Sequence, residues 1–238
     1  MYEFSSRVRY SEIGPDMEMN PIDLVARMQD CCVFHSMSIG RGPKVWLSEK
    51  KSWMITAWHV RIFRLPRLGE RITTRTWAYR FTRCTGERNF TVRDENGGLC
   101  ADANSRWVYF DLEAKVPTLV PPEESEAFGT EKGLDFSDAS KRIALPKEGL
   151  VPKEPFPVSA RDIDTNHHVN NLRYIEMAKA YVPEDTDSRL KELRVEYLRQ
   201  CRLGDVLTPR IAAEDNAYYI SLDNCAGEPC AIVEFMVQ

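Results

Sequence analysis

Residues 12–24 recur at residues 162–174, and this internal copy constrains the fold more than any other feature of the chain. At a shift of 150, Glu12 falls on Asp162, Ile13 on Ile163, Asn20 on Asn170 and Ile22 on Leu172, without a gap. At a shift of 135, residues 59–70 fall on 194–205, where Val60 meets Val195, Leu68 meets Leu203 and Gly69 meets Gly204. Thr73 then meets Thr208, and Arg75 meets Arg210. Two matches in consistent register mark a duplicated domain. A chain of 238 residues has room for two such units. The expected boundaries are 1–113 for the first unit, 114–149 for a crossover and 150–238 for the second.

Each copy repeats one order of elements. Asn20-Pro21 supplies an N-cap followed by a first helical residue. The segment 22–37 behind it is apolar nearly all round, with Asp23, Arg27 and Asp30 as a narrow polar edge. In the second copy Leu172, Ile175, Ala178 and Tyr181 recur at helical spacing behind Asn170. Only strand patterns follow: 53–64, 70–85, 87–93 and 99–112 in the first copy, and 191–200, 205–214, 217–222 and 230–237 in the second. Leu68-Gly69 and Asn96-Gly97-Gly98 mark turns. One buried helix and an antiparallel meander predict an α+β fold, a long helix wrapped by a curved sheet, built twice. Between the copies, Pro117, Pro121, Pro122, Pro146 and Pro152 predict an irregular crossover with one short helix at 123–128.

Bulk properties narrow the classes. A net charge of −4 argues against nucleic acid as a partner. The chain has no apolar run of 18 residues and no signal-peptide pattern, so a cytoplasmic location without membrane contact is expected. The seven cysteines have no paired spacing beyond the adjacent Cys31-Cys32, and they read as thiols. His167-His168 alone makes a poor ligand set, so neither a metal nor another cofactor is expected.

Polar chemistry concentrates between Asp162 and Tyr174, in a loop that feeds the N-terminus of the second helix. Such a terminus offers unpaired N–H groups and a positive dipole end, which suit a developing oxyanion. Singly, these Asp and Asn residues read as turn and cap formers; as a set they read as functional. The first copy has Gly14, Asp16 and Glu18 in place of Asp164, Asn166 and His168, and Pro66 in place of Cys201. The fold is kept twice and the chemistry once.

The run Asp164-Thr165-Asn166-His167-His168-Val169-Asn170-Asn171-Leu172-Arg173-Tyr174, together with Val195-Glu196-Tyr197-Leu198-Arg199-Gln200-Cys201 and the duplication, resembles the acyl-ACP thioesterases. The resemblance covers essentially the whole chain. It implies a tandem double hotdog that hydrolyses the thioester of fatty acyl-acyl carrier protein, releasing free fatty acid and ending chain elongation in fatty acid biosynthesis. The implied partner is an acyl carrier protein with a phosphopantetheine-linked acyl chain. A hotdog acyl-CoA thioesterase or dehydratase, and a non-catalytic acyl-binding module, are the alternatives.

Thioester hydrolysis needs an activated water or a nucleophile, a donor for the oxyanion and a proton for the thiolate. Under the resemblance Asp164 is the base or, as the second option, attacks directly. His168 activates or orients the water, Asn166 holds it or polarises the carbonyl, and the backbone of Asn170 and Asn171 faces the oxyanion. Cys201 is the rival nucleophile. Plant members often carry an acid before that cysteine, where this chain has Gln200. Attack by water is the favoured expectation, with Cys201 supporting the pocket. The first half is expected to shape the acyl pocket, with Met17, Met19, Met28, Trp53, Met54 and Trp58 as candidates. Residues 59–93 hold nine arginines against Glu70 and Glu87, so Arg61, Arg64, Arg67 and Arg71 are candidates for docking an acidic carrier protein. Further dimerisation is left open.

Overall fold

The computed structural model describes residues 1–136 and 142–238, and the chain divides into two compact units, Met1–Ala139 and Ser140–Gln238. The first unit runs β1 (Tyr2–Arg7), α1 (Pro21–Ser38), α2 (Pro43–Glu49), β2 (Lys51–Ile62), β3 (Arg71–Phe81), β4 (Thr85–Asp94), β5 (Leu99–Asp111), β6 (Val116–Pro117) and α3 (Pro122–Phe128). Its antiparallel sheet has the order β1-β3-β4-β5-β2, with β6 pairing β5. Helix α1 lies against β1 and β3, and Leu24, Val25, Met28 and Cys31 have no exposed surface. Arg27 on the polar edge of α1 is buried as well. Its guanidinium donates to Ser6 Oγ (2.5 Å), the Arg7 carbonyl (2.9 Å) and Glu12 Oε2 (2.8 Å), which satisfies a charge that burial would otherwise penalise.

The second unit runs β7 (Val151–Pro152), β8 (Phe156–Pro157), α4 (Asn171–Lys179), α5 (Thr186–Arg189), β9 (Leu190–Tyr197), β10 (Val206–Glu214), β11 (Ala217–Asp223) and β12 (Pro229–Val237). Its sheet order is β7-β10-β11-β12-β9, with β8 on β10, and α4 packs on β11 and β12. Each unit is a helix wrapped by an antiparallel meander, the tandem hotdog arrangement.

The duplication extends to single main-chain hydrogen bonds. Asn20 N–H donates to the Glu12 carbonyl at 2.9 Å, as Asn170 N–H does to Asp162 at 2.8 Å. Gly14 N–H donates to Glu18 O at 2.8 Å, and Asp164 N–H to His168 O at 2.8 Å. Met19 N–H reaches the Pro66 carbonyl at 2.8 Å, and Val169 N–H reaches that of Cys201 at 2.9 Å. Met17 and His167 share a left-handed backbone, φ 64° and 61°, and Gly69 and Gly204 share φ 82° and 86°.

Two features depart from the sequence pattern. A short helix, α2, interrupts the expected passage from α1 to strands; it begins where Gly42-Pro43 sets an N-cap and first residue. The second helix is 9 residues against 18 in the first, and Pro183 follows soon after its end. No described helix is long and apolar enough to cross a membrane.

Candidate functional site

The loop 162–170 is shaped by carboxylates acting on backbone. Asp162, buried at 7% exposure, accepts from Ser159 N–H (2.8 Å) and Ser159 Oγ (2.5 Å), closing a reciprocal cap on the short 3-10 turn 160–162. Asp164 Oδ1 accepts from Asn166 N–H at 2.8 Å and from His168 N–H at 3.4 Å. Its Oδ2 receives the Asn166 side-chain amide at 3.5 Å. This Asx turn brings Asp164, Asn166 and His168 together at the entry to α4. Asp164 and His168 are half-buried and Asn166 is exposed. His167 occupies the left-handed corner of the turn and points to solvent, so it is a turn residue.

Of the two expected oxyanion donors, the Asn170 N–H is already committed to the Asp162 carbonyl. The Asn170 side chain caps α4 by accepting from Leu172 N–H at 2.9 Å. The Asn171 N–H, at the first position of α4, has no hydrogen-bond partner among the described residues. Asn171 therefore stands alone where the sequence suggested a pair.

Cys201 is buried at 2% exposure, and its backbone rather than its side chain meets the loop, through the carbonyl that accepts from Val169. Tyr174 Oη accepts from Cys201 N–H at 3.1 Å, and the Tyr174 ring lies 5.9 Å from that of Tyr197. The Cys201 thiol hydrogen-bonds with Cys230 and Tyr174, which pulls it down to about 7 against the effect of burial. Cys230 shifts upward through the same contact and burial. Among the described residues no histidine is a partner of Cys201. Tyr174 stands inside the sequence motif, yet only the fold shows that it braces the cysteine.

In the first unit the matching positions make a turn and an ion pair. Asp16 Oδ1 accepts from Glu18 N–H at 3.3 Å, and Glu18 pairs with Arg67 at 3.1 Å.

The first unit also contains a half-open cavity between its helices and its sheet. Its walls come from α1, α2, α3 and strands β2 to β5, with Trp46, Trp53, Phe81, Trp107 and Phe128 as the aromatic surface and Arg88 as the one cation among the described residues. Gly86 makes room there: a Cβ at that position would stand 3.1 Å from both the Phe81 and Trp53 rings. Among the six pocket candidates read from sequence, Trp53 lines this cavity. Met19, Met28 and Trp58 are core residues at 0%, 0% and 2% exposure, whose apolar character serves packing. Met17 sits in an exposed turn, and Met54 is half-buried on β2 away from the cavity lining. Trp46, Gly86, Arg88, Trp107 and Phe128 escaped the sequence reading because strand periodicity gives inward residues without saying which face a void.

Several arginines of the segment are paired with acids elsewhere in the first unit. Arg61 donates to both oxygens of Asp102 (2.8 and 2.7 Å), Arg64 pairs with Glu70 (3.0 Å) and Asp94 (2.7 Å), and Arg67 with Glu18. Arg71 has no acidic partner among the described residues. It stands in register opposite Arg7, which likewise has none, so two exposed guanidinium groups share one face of the β1–β3 edge.

Comparison with known proteins agrees with this architecture. Residues 1–128 match the family model for the acyl-ACP thioesterase N-terminal domain, and residues 149–227 match that for the C-terminal domain. A palmitoyl-acyl carrier protein thioesterase of Gossypium hirsutum is 26% identical over 92% of this chain and 57% of its own length. A dodecanoyl-[acyl-carrier-protein] hydrolase of Cinnamomum camphora is 22% identical over 84% of this chain and 56% of its own. This chain thus spans less than two thirds of those relatives. The crystal structure of an acyl-ACP thioesterase from Bacteroides thetaiotaomicron superimposes with a TM-score of 0.88, at 19% identity, covering 99% of this chain and 97% of that one. Two matched domain models, one on each hotdog unit, establish that the chain belongs to the acyl-ACP thioesterase family.

Proposed function

We propose that the protein hydrolyses fatty acyl thioesters of acyl carrier protein, releasing the free acid and ending chain elongation. The supporting observation is the Asx turn that gathers Asp164, Asn166 and His168 at the start of α4, where the silent copy has Gly14, Asp16 and Glu18. Water is the nucleophile in this reading. Asp164 Oδ1 is engaged by the turn, so Oδ2 is the oxygen that takes the proton from water. His168 carries the proton toward the leaving thiolate, Asn166 orients the water through its amide, and the Asn171 N–H receives the oxyanion. In this reading Cys201 supports the pocket, its thiol held by Cys230 and Tyr174 with no histidine partner among the described residues. The second unit is thus the catalytic one, and the first supplies the acyl cavity and the arginine edge that meets the acidic carrier protein.

The decisive assay measures acyl-ACP and acyl-CoA hydrolysis side by side for wild type, Asp164→Ala, His168→Ala and Cys201→Ala. Loss of an essential base or proton carrier costs on the order of 10² to 10⁴ in rate, so the first two variants should be nearly inactive. Cys201→Ala should retain a substantial part of the rate. A folded but dead Cys201→Ala, with an acyl-cysteine trapped on wild type, would replace the water mechanism. Equal rates on acyl-CoA and acyl-ACP would remove the carrier protein from the reading.

A further inference from the structure

Arg88 is a buried cation with no anionic partner among the described residues. It projects from β4 at 8% exposure and lines the cavity of the first unit. Its Nη2 meets His35 Nδ1 at 2.6 Å, and Nε and Nη2 each reach Thr76 Oγ1 at 3.4 Å. The guanidinium also sits 5.2 Å from the centre of the Phe128 ring. Every one of these neighbours is neutral. Burial, with Arg88 beside it, pushes His35 down to about 3, so the imidazole is uncharged. The Cys32 thiol nearby is raised by burial and stays protonated. Glu124, the buried acid on α3, is taken up by Arg41 and by the Trp53 indole N–H. Arg88 Nη1 makes no hydrogen bond among the described residues.

A second polar group on the cavity wall is also left over. The Trp46 indole N–H is buried and has no partner, although indole nitrogens out of water normally find one. An uncompensated guanidinium and an orphan N–H donor, set in a wall of aromatic rings, form a receptor for an oxyanion carried on an apolar chain.

We propose that this cavity binds an apolar chain that ends in a carboxylate, with the carboxylate on Arg88 Nη1 and the Trp46 N–H. The proposal rests on the thioesterase reading for its choice of fatty carboxylate, which has two sources. One is the released fatty acid; the other is the far end of an acyl group that carries its own terminal carboxylate.

Three of the chain's five tryptophans line the cavity, so quenching of tryptophan fluorescence by a bromine-bearing undecanoate and by its methyl ester reads occupancy without any turnover. Wild type should bind the carboxylate at least about tenfold more tightly than the ester, the size of one charge-assisted hydrogen bond. Arg88→Met should bind the two equally, and Arg88→Lys should keep part of the preference. Trp46→Phe leaves Arg88 and its contacts in place and covers the case in which Arg88→Met fails to fold; it should weaken the acid several-fold and the ester less. Equal binding by wild type, or a preference that survives in Arg88→Met or is unmoved in Trp46→Phe, overturns the proposal. The source follows from kinetics. A lower KM for an acyl thioester with a terminal carboxylate, lost in Arg88→Met, assigns the site to substrate, whereas competitive inhibition by free undecanoate without that advantage assigns it to product. If no thioester is turned over, the hydrolase reading falls while the fluorescence comparison still decides this one.

Discussion

The two oxygens of Asp164 are used differently: Oδ1 holds the turn and Oδ2 receives the Asn166 amide. Asp164→Asn keeps the turn acceptor and loses the base, so it should fold like wild type and hydrolyse acyl-ACP at a rate lower by about 10² or more. Unfolding curves and initial rates on the same sample test this; parallel loss of stability and rate would reduce Asp164 to a turn former. The sequence displayed this cluster because it is local, with all three residues within five positions. It could not display Arg88, whose character comes from burial among His35, Thr76, Cys32 and Phe128 on distant elements. Nor could it separate the paired arginines from the unpaired ones, since Arg61 finds Asp102, and Arg75 finds Glu3, only across strand pairs.

His35 adds a pH dependence at the same scale. Its folded value lies near 3, below the ordinary 6.5, so between those limits the unfolded chain binds the extra proton. Its contribution is present in full above about 6.5 and declines as pH falls, by up to about 1.4 kcal/mol per pH unit. The stability gap between wild type and His35→Gln should therefore shrink from pH 7 to pH 5 in urea unfolding; a constant gap would mean that His35 titrates normally in the fold.

Among elements, the two duplicated helices make a matched pair with unequal caps. Asn170 caps α4 through its side chain, whereas Asn20 makes no such cap and bonds Asp23 at 2.9 Å instead, leaving Pro21 to start α1. Asn170→Ala should cost about 1 kcal/mol in urea unfolding, and Asn20→Ala measurably less. Equal costs would show that the two starts are held alike. Both starts were legible because N-cap and N1 preferences are set by local backbone geometry. The short α2 and the halved α4 were less so, because what ends or inserts a helix here is a proline and the packing around it. Strand β4 places Gly86 in the cavity wall. Gly86→Val places methyl groups against Phe81 and Trp53, and should lower kcat/KM for the longest acyl-ACP substrates more than for the shortest. A uniform fall across chain lengths would separate this cavity from acyl selection.

Among the described residues, charge is arranged more evenly than the count of arginines suggests, and the Arg7–Arg71 pair is one place where exposed guanidinium groups stand without an acidic partner. Joint reversal, Arg7→Glu with Arg71→Glu, should raise KM for acyl-ACP several-fold at low salt and leave hydrolysis of a small thioester unchanged. The difference should fade as ionic strength rises and the Debye length falls below about 10 Å. Equal damage to both substrates would move the carrier-protein contact elsewhere.

The hooks that hold the two loops in place, Met19 on Pro66 and Val169 on Cys201, run through a carbonyl oxygen that every amino acid possesses. Such a hook imposes no vocabulary on the side chain beside it, so a proline serves as well as a cysteine. After the gene segment doubled, selection could therefore rewrite one loop without loosening it. Heredity in this protein is carried by two scripts of different permanence, a main-chain script copied almost bond for bond and a side-chain script free to differ between the halves.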